Sequence, residues 1–195
     1  MKIRETQLEV DRFYHIFNRG VNSKLVFLNH ENFNYFLGKV KLFLLPYFDV
    51  YAYCLMPNHF HFIVKPKTET ESSQDFKKLG LHSEYCFFSK AIAKLISSYT
   101  QAFNKVYHRS GPLFESPFKR ILIDSEEYLR NLIIYIHQNP KNFQNYKFSS
   151  YLAVISNHET SIQRGEVLEL FSDCENFIEC HKKEINENFV KDLKL

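Results

Sequence analysis

At 195 residues the chain is long enough to bury the core of one domain, with room for an appendage. A hydrophobic fraction of 45%, carried largely by 20 Phe and 12 Tyr with no Trp, excludes a disordered or fibrous protein. The net charge of +3 permits a nucleic-acid partner without pointing to one, and no apolar run approaches the roughly 18 residues of a membrane span.

The start Met1-Lys2-Ile3-Arg4-Glu5 lacks the apolar centre of a signal peptide, so a cytoplasmic location is expected. The four cysteines, Cys54, Cys86, Cys174 and Cys180, have no Cys-x-x-Cys spacing and are read as reduced, mostly buried thiols. Cys180-His181 beside Cys174 is read as helix surface, because no second pair of metal ligands lies nearby.

Along the chain, Phe13-Tyr14-His15-Ile16-Phe17 has the aromatic and branched content of a strand and ends at the turn Asn18-Arg19-Gly20. His15 stands alone in it and is expected to pack rather than ligate. Asn29 caps a helix whose apolar positions Phe33, Phe36, Leu37, Val40 and Leu44 keep the helical period, and Pro46 ends it. Residues 48–55 and 60–65 read as two strands joined by Met56-Pro57-Asn58. Residues 66–82, with Lys77-Lys78, read as a loop.

A second helix runs from about Ser89, with Ile92, Leu95, Ile96, Tyr99, Phe103 and Val106 on one face, and stops before Gly111-Pro112. A further strand covers Phe118 to Ile123, interrupted at Pro117. Asp124 then caps a third helix, with Glu127 at capping-box spacing, that Pro140 closes. Hairpin-linked strands separated by single helices predict an α+β, ferredoxin-like antiparallel sheet with its helices on one face. Residues 1–151 are expected to form the main domain, and 152–195 a C-terminal extension of two modest helices.

The chemistry concentrates in Asn58-His59-Phe60-His61-Phe62. Side chains two apart on a strand share a face, so His59 and His61 lie side by side while Phe60 and Phe62 turn to a core. Paired neutral imidazoles are half of a site for a divalent ion, and further oxygen or nitrogen ligands must come from elsewhere. On the third helix Leu129, Leu132, Ile133 and Ile136 define the buried stripe. Tyr135 and Asn139, four apart, lie together on its flank; Gln138 points away from the core and His137 falls on the far flank. A phenol and an amide so placed suit a nucleophile and a neutral metal ligand. Helix geometry alone is equally satisfied by an interfacial tyrosine and a helix-end asparagine.

Taken in order, Cys54-Leu55-Met56-Pro57-Asn58-His59-Phe60-His61, Ser98-Tyr99-Thr100, Arg109-Ser110-Gly111-Pro112-Leu113-Phe114, Phe118-Lys119, Tyr135-Ile136-His137-Gln138-Asn139-Pro140 and Ser149-Ser150-Tyr151 resemble one family across residues 8–151. It is the single-tyrosine HUH transposases, in particular the REP-associated tyrosine transposase branch. The resemblance implies a metal-dependent single-stranded DNA endonuclease and strand transferase that recognises DNA hairpins and works as a monomer or homodimer. It implies a divalent ion, Mg²⁺ or Mn²⁺, on His59, His61 and Asn139, and Tyr135 as the nucleophile that becomes joined to the 5′ phosphate. Pro117 departs from the family's usual small or basic residue.

Lys65, Lys105, Arg109, Lys119 and Arg120, interleaved with Tyr99, Phe103 and Phe118, are candidate DNA contacts. Two other classes fit parts of the pattern. One is a non-catalytic nucleic-acid-binding module of the same fold; the other is a metal hydrolase using water in place of Tyr135.

Overall fold

The structure is a computed structural model that describes residues 6–68, 84–185 and 189, the side chains of 84–86 excepted. Residues 69–83, which hold most of the expected loop with Lys77 and Lys78, lie outside the described residues. Four strands, β1 (Phe13–Arg19), β2 (Phe48–Met56), β3 (His59–Pro66) and β4 (Lys119–Ile123), make one sheet in the order β2-β3-β1-β4 with antiparallel pairing throughout. Helix α1 (His30–Phe43) crosses from β1 to β2, and α2 (Glu84–Val106) from β3 to β4. This is the interleaved double β-α-β of the ferredoxin-like architecture expected from the sequence. Helix α2 begins five residues earlier than its apolar period suggests.

Register assigns the faces. Tyr14 and Ile16 pair with Val64 and Phe62, and this parity carries α1 and α2. There Phe36 of α1 lies 5.3 Å from Phe60 and 5.1 Å from Tyr99 of α2, and Phe48 meets Phe88 at 5.3 Å. His15 and Phe17 pair with Ile63 and His61 on the other face, where Ala52, Cys54, Ile121 and Ile123 are also buried.

That second face is covered by α3 (Glu126–Gln138), which touches β2, β3 and β4. The expectation that all helices share one face is therefore corrected: the crossover helices do, and α3 does not. The reason is legible in β1 and β3, whose nearly unbroken burial belongs to strands covered on both sides rather than to a half-solvated sheet. Leu129, Leu132, Ile133 and Ile136 of α3 are all buried, as the helical period predicts. Burying four aliphatic side chains contributes about 6–12 kcal/mol as an upper figure. Rolling the helix by one residue would forfeit most of that, so the stripe sets where Tyr135 and Asn139 point. The cap of α3 is Ser125, which accepts the Tyr128 N–H at 3.2 Å, one residue beyond the expected Asp124.

Beyond residue 151 the described residues form three short helices where two were expected: α4 (Tyr151–Ile155), α5 (Arg164–Leu170) and α6 (Cys174–Lys182). They are tied to the sheet. β2 is an edge strand, and an edge needs cover. The Leu55 N–H donates to the Phe148 carbonyl and the Ser150 N–H to that of Tyr53, both at 2.9 Å, while Val50 bridges to Ile162. Gln163 and Glu166 reach the same strand, at Asp49 (2.7 Å) and the Tyr51 hydroxyl (2.6 Å). Cys54 is free and buried, whereas free Cys174 and Cys180 are only half-buried. No helix among the described residues is long and apolar enough to cross a membrane.

Candidate active site

The β2–β3 turn is clamped before it presents a single functional group. Val26 and Phe27 both donate their backbone N–H to the Pro57 carbonyl, at 2.8 and 3.0 Å, and Gly20 donates to that of Asn58 at 2.8 Å. Only glycine fits at position 20: a Cβ there would lie 2.1 Å from the Lys24 carbonyl oxygen. The clamp fixes Asn58 and, through it, His59.

His59 Nδ1 lies 2.7 Å from Asn58 Oδ1, an atom that can only accept, so the proton sits on Nδ1 and Nε2 carries a bare lone pair. That lone pair points at Asn139 Oδ1, 3.3 Å away. The Asn139 amide is held in this sense because its Nδ2 donates to the Tyr135 carbonyl at 2.9 Å. Two acceptors thus face each other at near-contact distance, an arrangement that a cation between them relieves. Protonating His59 would also relieve it. Burial, and after it the Arg19 charge, hold the His59 pKa below its ordinary value, against the raising effect of Asn139.

His61 repeats the pattern one pleat on. Its ring lies 5.0 Å from that of His59 and 6.0 Å from that of Tyr135, and its Nδ1 is 2.9 Å from His15 Nε2. With the proton on His61 Nδ1, Nε2 is free as a ligand and His15 becomes the outer partner that orients the ring. Burial then leaves His15 Nδ1 without a partner and brings the His15 pKa down to about 3. Burial, with His15 and His59 alongside, likewise keeps His61 neutral. His15, expected to pack rather than ligate, is indeed packed, directly behind a candidate ligand. Among the described residues no three His, Cys, Asp or Glu side chains are arranged to hold a metal ion; the oxygen that faces His59 is that of the Asn139 amide.

Tyr135 is half-buried, and burial raises its pKa while the nearby Asn139 amide pulls it down. It lines a cleft of about 280 Å³ with Asn58, His59, His61, Asn139, Arg19 and Lys119. A larger hollow of about 700 Å³ between α1 and residues 159–162 carries no histidine or cysteine, so size does not select the site. The Tyr128 ring lies tilted against Phe189, with centroids 5.3 Å apart, and does not line the cleft.

The five basic residues singled out as DNA contacts do not form one rim. Lys119 alone enters the cleft. Lys65 sits at the opposite end of the sheet, 3.4 Å from Glu166. Arg120 turns to the α2 face and donates to Ser89 at 2.8 Å. Lys105 and Arg109 end the α2 region, Arg109 bound to the Pro112 carbonyl at 3.2 Å. Of the intended stacking residues, Tyr99, Phe103 and Phe118 are buried in the core. Arg19 enters the cleft instead and His15 stands behind His61, both through strand register, which periodicity in a single segment does not report; Asn58 enters from the turn, beside His59.

His137 and Gln138 fasten α3 from behind. His181 donates from Nδ1 to the Phe177 carbonyl at 2.7 Å, accepts at Nε2 from His137 Nδ1 at 2.9 Å, and His137 Nε2 accepts from Ser150 at 2.7 Å. Gln138 donates to the carbonyls of His181 and Lys183, both at 2.8 Å. His181, read from sequence as helix surface, is fully buried.

No family model matches the chain, and no curated protein matches it. Among solved structures, the chain is similar to a REP-associated tyrosine transposase bound to a REP hairpin, at 14% identity and a TM-score of 0.57, over 86% of this chain and 93% of that one. The α+β architecture is thus one that a HUH-type transposase also adopts, and the likeness at this identity is one of fold.

Proposed function

We propose that this protein is a single-stranded DNA nuclease and strand transferase of the single-tyrosine HUH type. One observation carries the reading: the bare His59 lone pair and the Asn139 oxygen converge at 3.3 Å in the cleft that Tyr135 lines, with His61 beside them. Two neutral imidazoles and an amide oxygen suit Mg²⁺ or Mn²⁺, with Mn²⁺ the better match to nitrogen. Bound there, such an ion would polarise the scissile phosphate and offset charge as a fifth oxygen arrives.

The protein's own part is positioning. Asn58 and His15 hold the imidazoles in the ligand tautomer, and the α3 stripe holds Tyr135 over them. The Tyr135 oxygen forms an ester to phosphorus, the bond to the 3′ oxygen breaks, and that oxygen takes up a proton to become a free hydroxyl. The phosphotyrosine conserves the energy of the broken ester, so the hydroxyl of another end can reverse the step without a nucleotide cofactor. Residues 1–151 carry this chemistry, and the helices between 151 and 182 brace it. The similarity to a hairpin-bound protein supports a DNA hairpin as the partner.

The test is a covalent adduct. Incubated with a single-stranded hairpin oligonucleotide and Mn²⁺, the protein should retain label placed 3′ of the cut on a denaturing gel and release label placed 5′ of it. Tyr135→Phe keeps the ring and its packing and should bind DNA but form no adduct. Cleavage by the Phe variant would assign the attack to water, and DNA binding without any cleavage would leave a non-catalytic module.

A further inference from the structure

Two cations stand in the cleft on one side of the histidines, and ligand chemistry leaves them without a role. Arg19 pairs with His59 across β1 and β3, and Lys119 pairs with Phe17, which in turn pairs with His61. At about 4.8 Å per strand, Arg19 stands one strand and Lys119 two strands from the histidine pair, on the same face. Glu115 tethers both from behind, at 2.5 Å from Arg19 and 3.6 Å from Lys119. Its carboxylate offsets one charge and leaves one positive charge facing the cleft.

The opposite side of the cleft is closed. There the β2 edge is paired with Phe148 and Ser150, and the Tyr146 hydroxyl donates to the Leu55 carbonyl at 2.6 Å. Stability is a poor explanation for the cations. The Arg19 side chain is 49% exposed, and exposed ion pairs contribute about 0–1 kcal/mol. The Lys119 side chain, by contrast, is only 11% exposed and lies over the Phe17 ring, an expensive place for an ammonium whose one carboxylate partner, Glu115, is shared with Arg19.

Resting on the nucleic-acid reading above, we infer that Arg19 and Lys119 form a metal-independent seat for a backbone phosphate of the substrate strand. The strand therefore leaves the histidine pair over β1 and β4, not over β2.

Anisotropy of a labelled single-stranded oligonucleotide, titrated with KCl in EDTA, tests the seat apart from catalysis. Each single-strand phosphate contact contributes about 0.7 to the slope of log affinity against log salt. Arg19→Gln and Lys119→Met should each flatten the slope, and the double variant should flatten it by about 0.7 in total, since the two cations share one phosphate. Lys41→Gln, an exposed charge on α1 over the other face, should leave the slope unchanged. Unchanged slopes in both cleft variants, an equal loss in Lys41→Gln, or no binding by the wild type would each overturn the seat. Should Lys119→Met fail to fold by circular dichroism, Arg19→Gln at its exposed position decides alone. An adduct with unchanged slopes removes the seat and keeps the transferase; flattened slopes without an adduct do the reverse.

Discussion

Acid should loosen the brace behind the tyrosine helix. His181 is buried among His137 of α3, Tyr151 of α4 and the Phe171 and Phe177 rings, and burial takes its pKa from 6.5 to about 4, against the raising effect of the Phe177 carbonyl. His137 is shifted the same way by burial and by His181. A histidine whose folded pKa is depressed gives stability that is complete above its unfolded value of 6.5 and is lost as pH falls toward 4. Going from about pH 8 to about pH 5, one such group removes about 2 kcal/mol. Urea unfolding of wild type and His181→Gln at both pH values isolates it, since the variant has nothing to titrate there. The wild type should lose about 2 kcal/mol more than the variant over this interval. Equal losses would show that His181 is not held neutral by burial, and the relay from Phe177 through His181 and His137 to Ser150 would then be wrongly drawn.

Calorimetric titration with Mn²⁺ should show no binding by His59→Ala or His61→Ala, while far-UV circular dichroism stays unchanged because Phe60 and Phe62 still fill the opposite face; unaltered binding in both moves the metal site elsewhere. His15→Leu should keep the fold and weaken Mn²⁺ binding by about 10–100-fold, the range for losing the outer partner of a ligating histidine; wild-type affinity would mean that His61 needs no such support. Gly20→Ala forces a methyl against the Lys24 carbonyl and should lower the melting temperature by several degrees, at about 2–4 °C per kcal/mol for a chain of this size. An unshifted transition would mean that the clamp on the Pro57-Asn58 turn yields easily.

The sequence by itself determined what short-range geometry can encode. Alternation put His59 and His61 on one face with Phe60 and Phe62 on the other, because a strand's period of two admits no other arrangement. The 3.6-residue period likewise picked out the buried stripe of α3 and left Tyr135 and Asn139 beside it. The element order implied the sheet topology.

Tertiary structure alone decided which face each helix took and which distant residues met. Nothing within α3 says that it lies opposite α1 and α2; that follows from a sheet apolar on both sides. His15 reaches His61 from another strand, Arg19 and Lys119 come together through Glu115, and His181 reaches His137 across 44 residues. The same register turned Arg120 away from the cleft while its neighbour Lys119 entered it, since adjacent residues on a strand face opposite sides. Periodicity reports which way a side chain points within its own element, whereas a site assembled across strands depends on pairings that only the folded sheet sets.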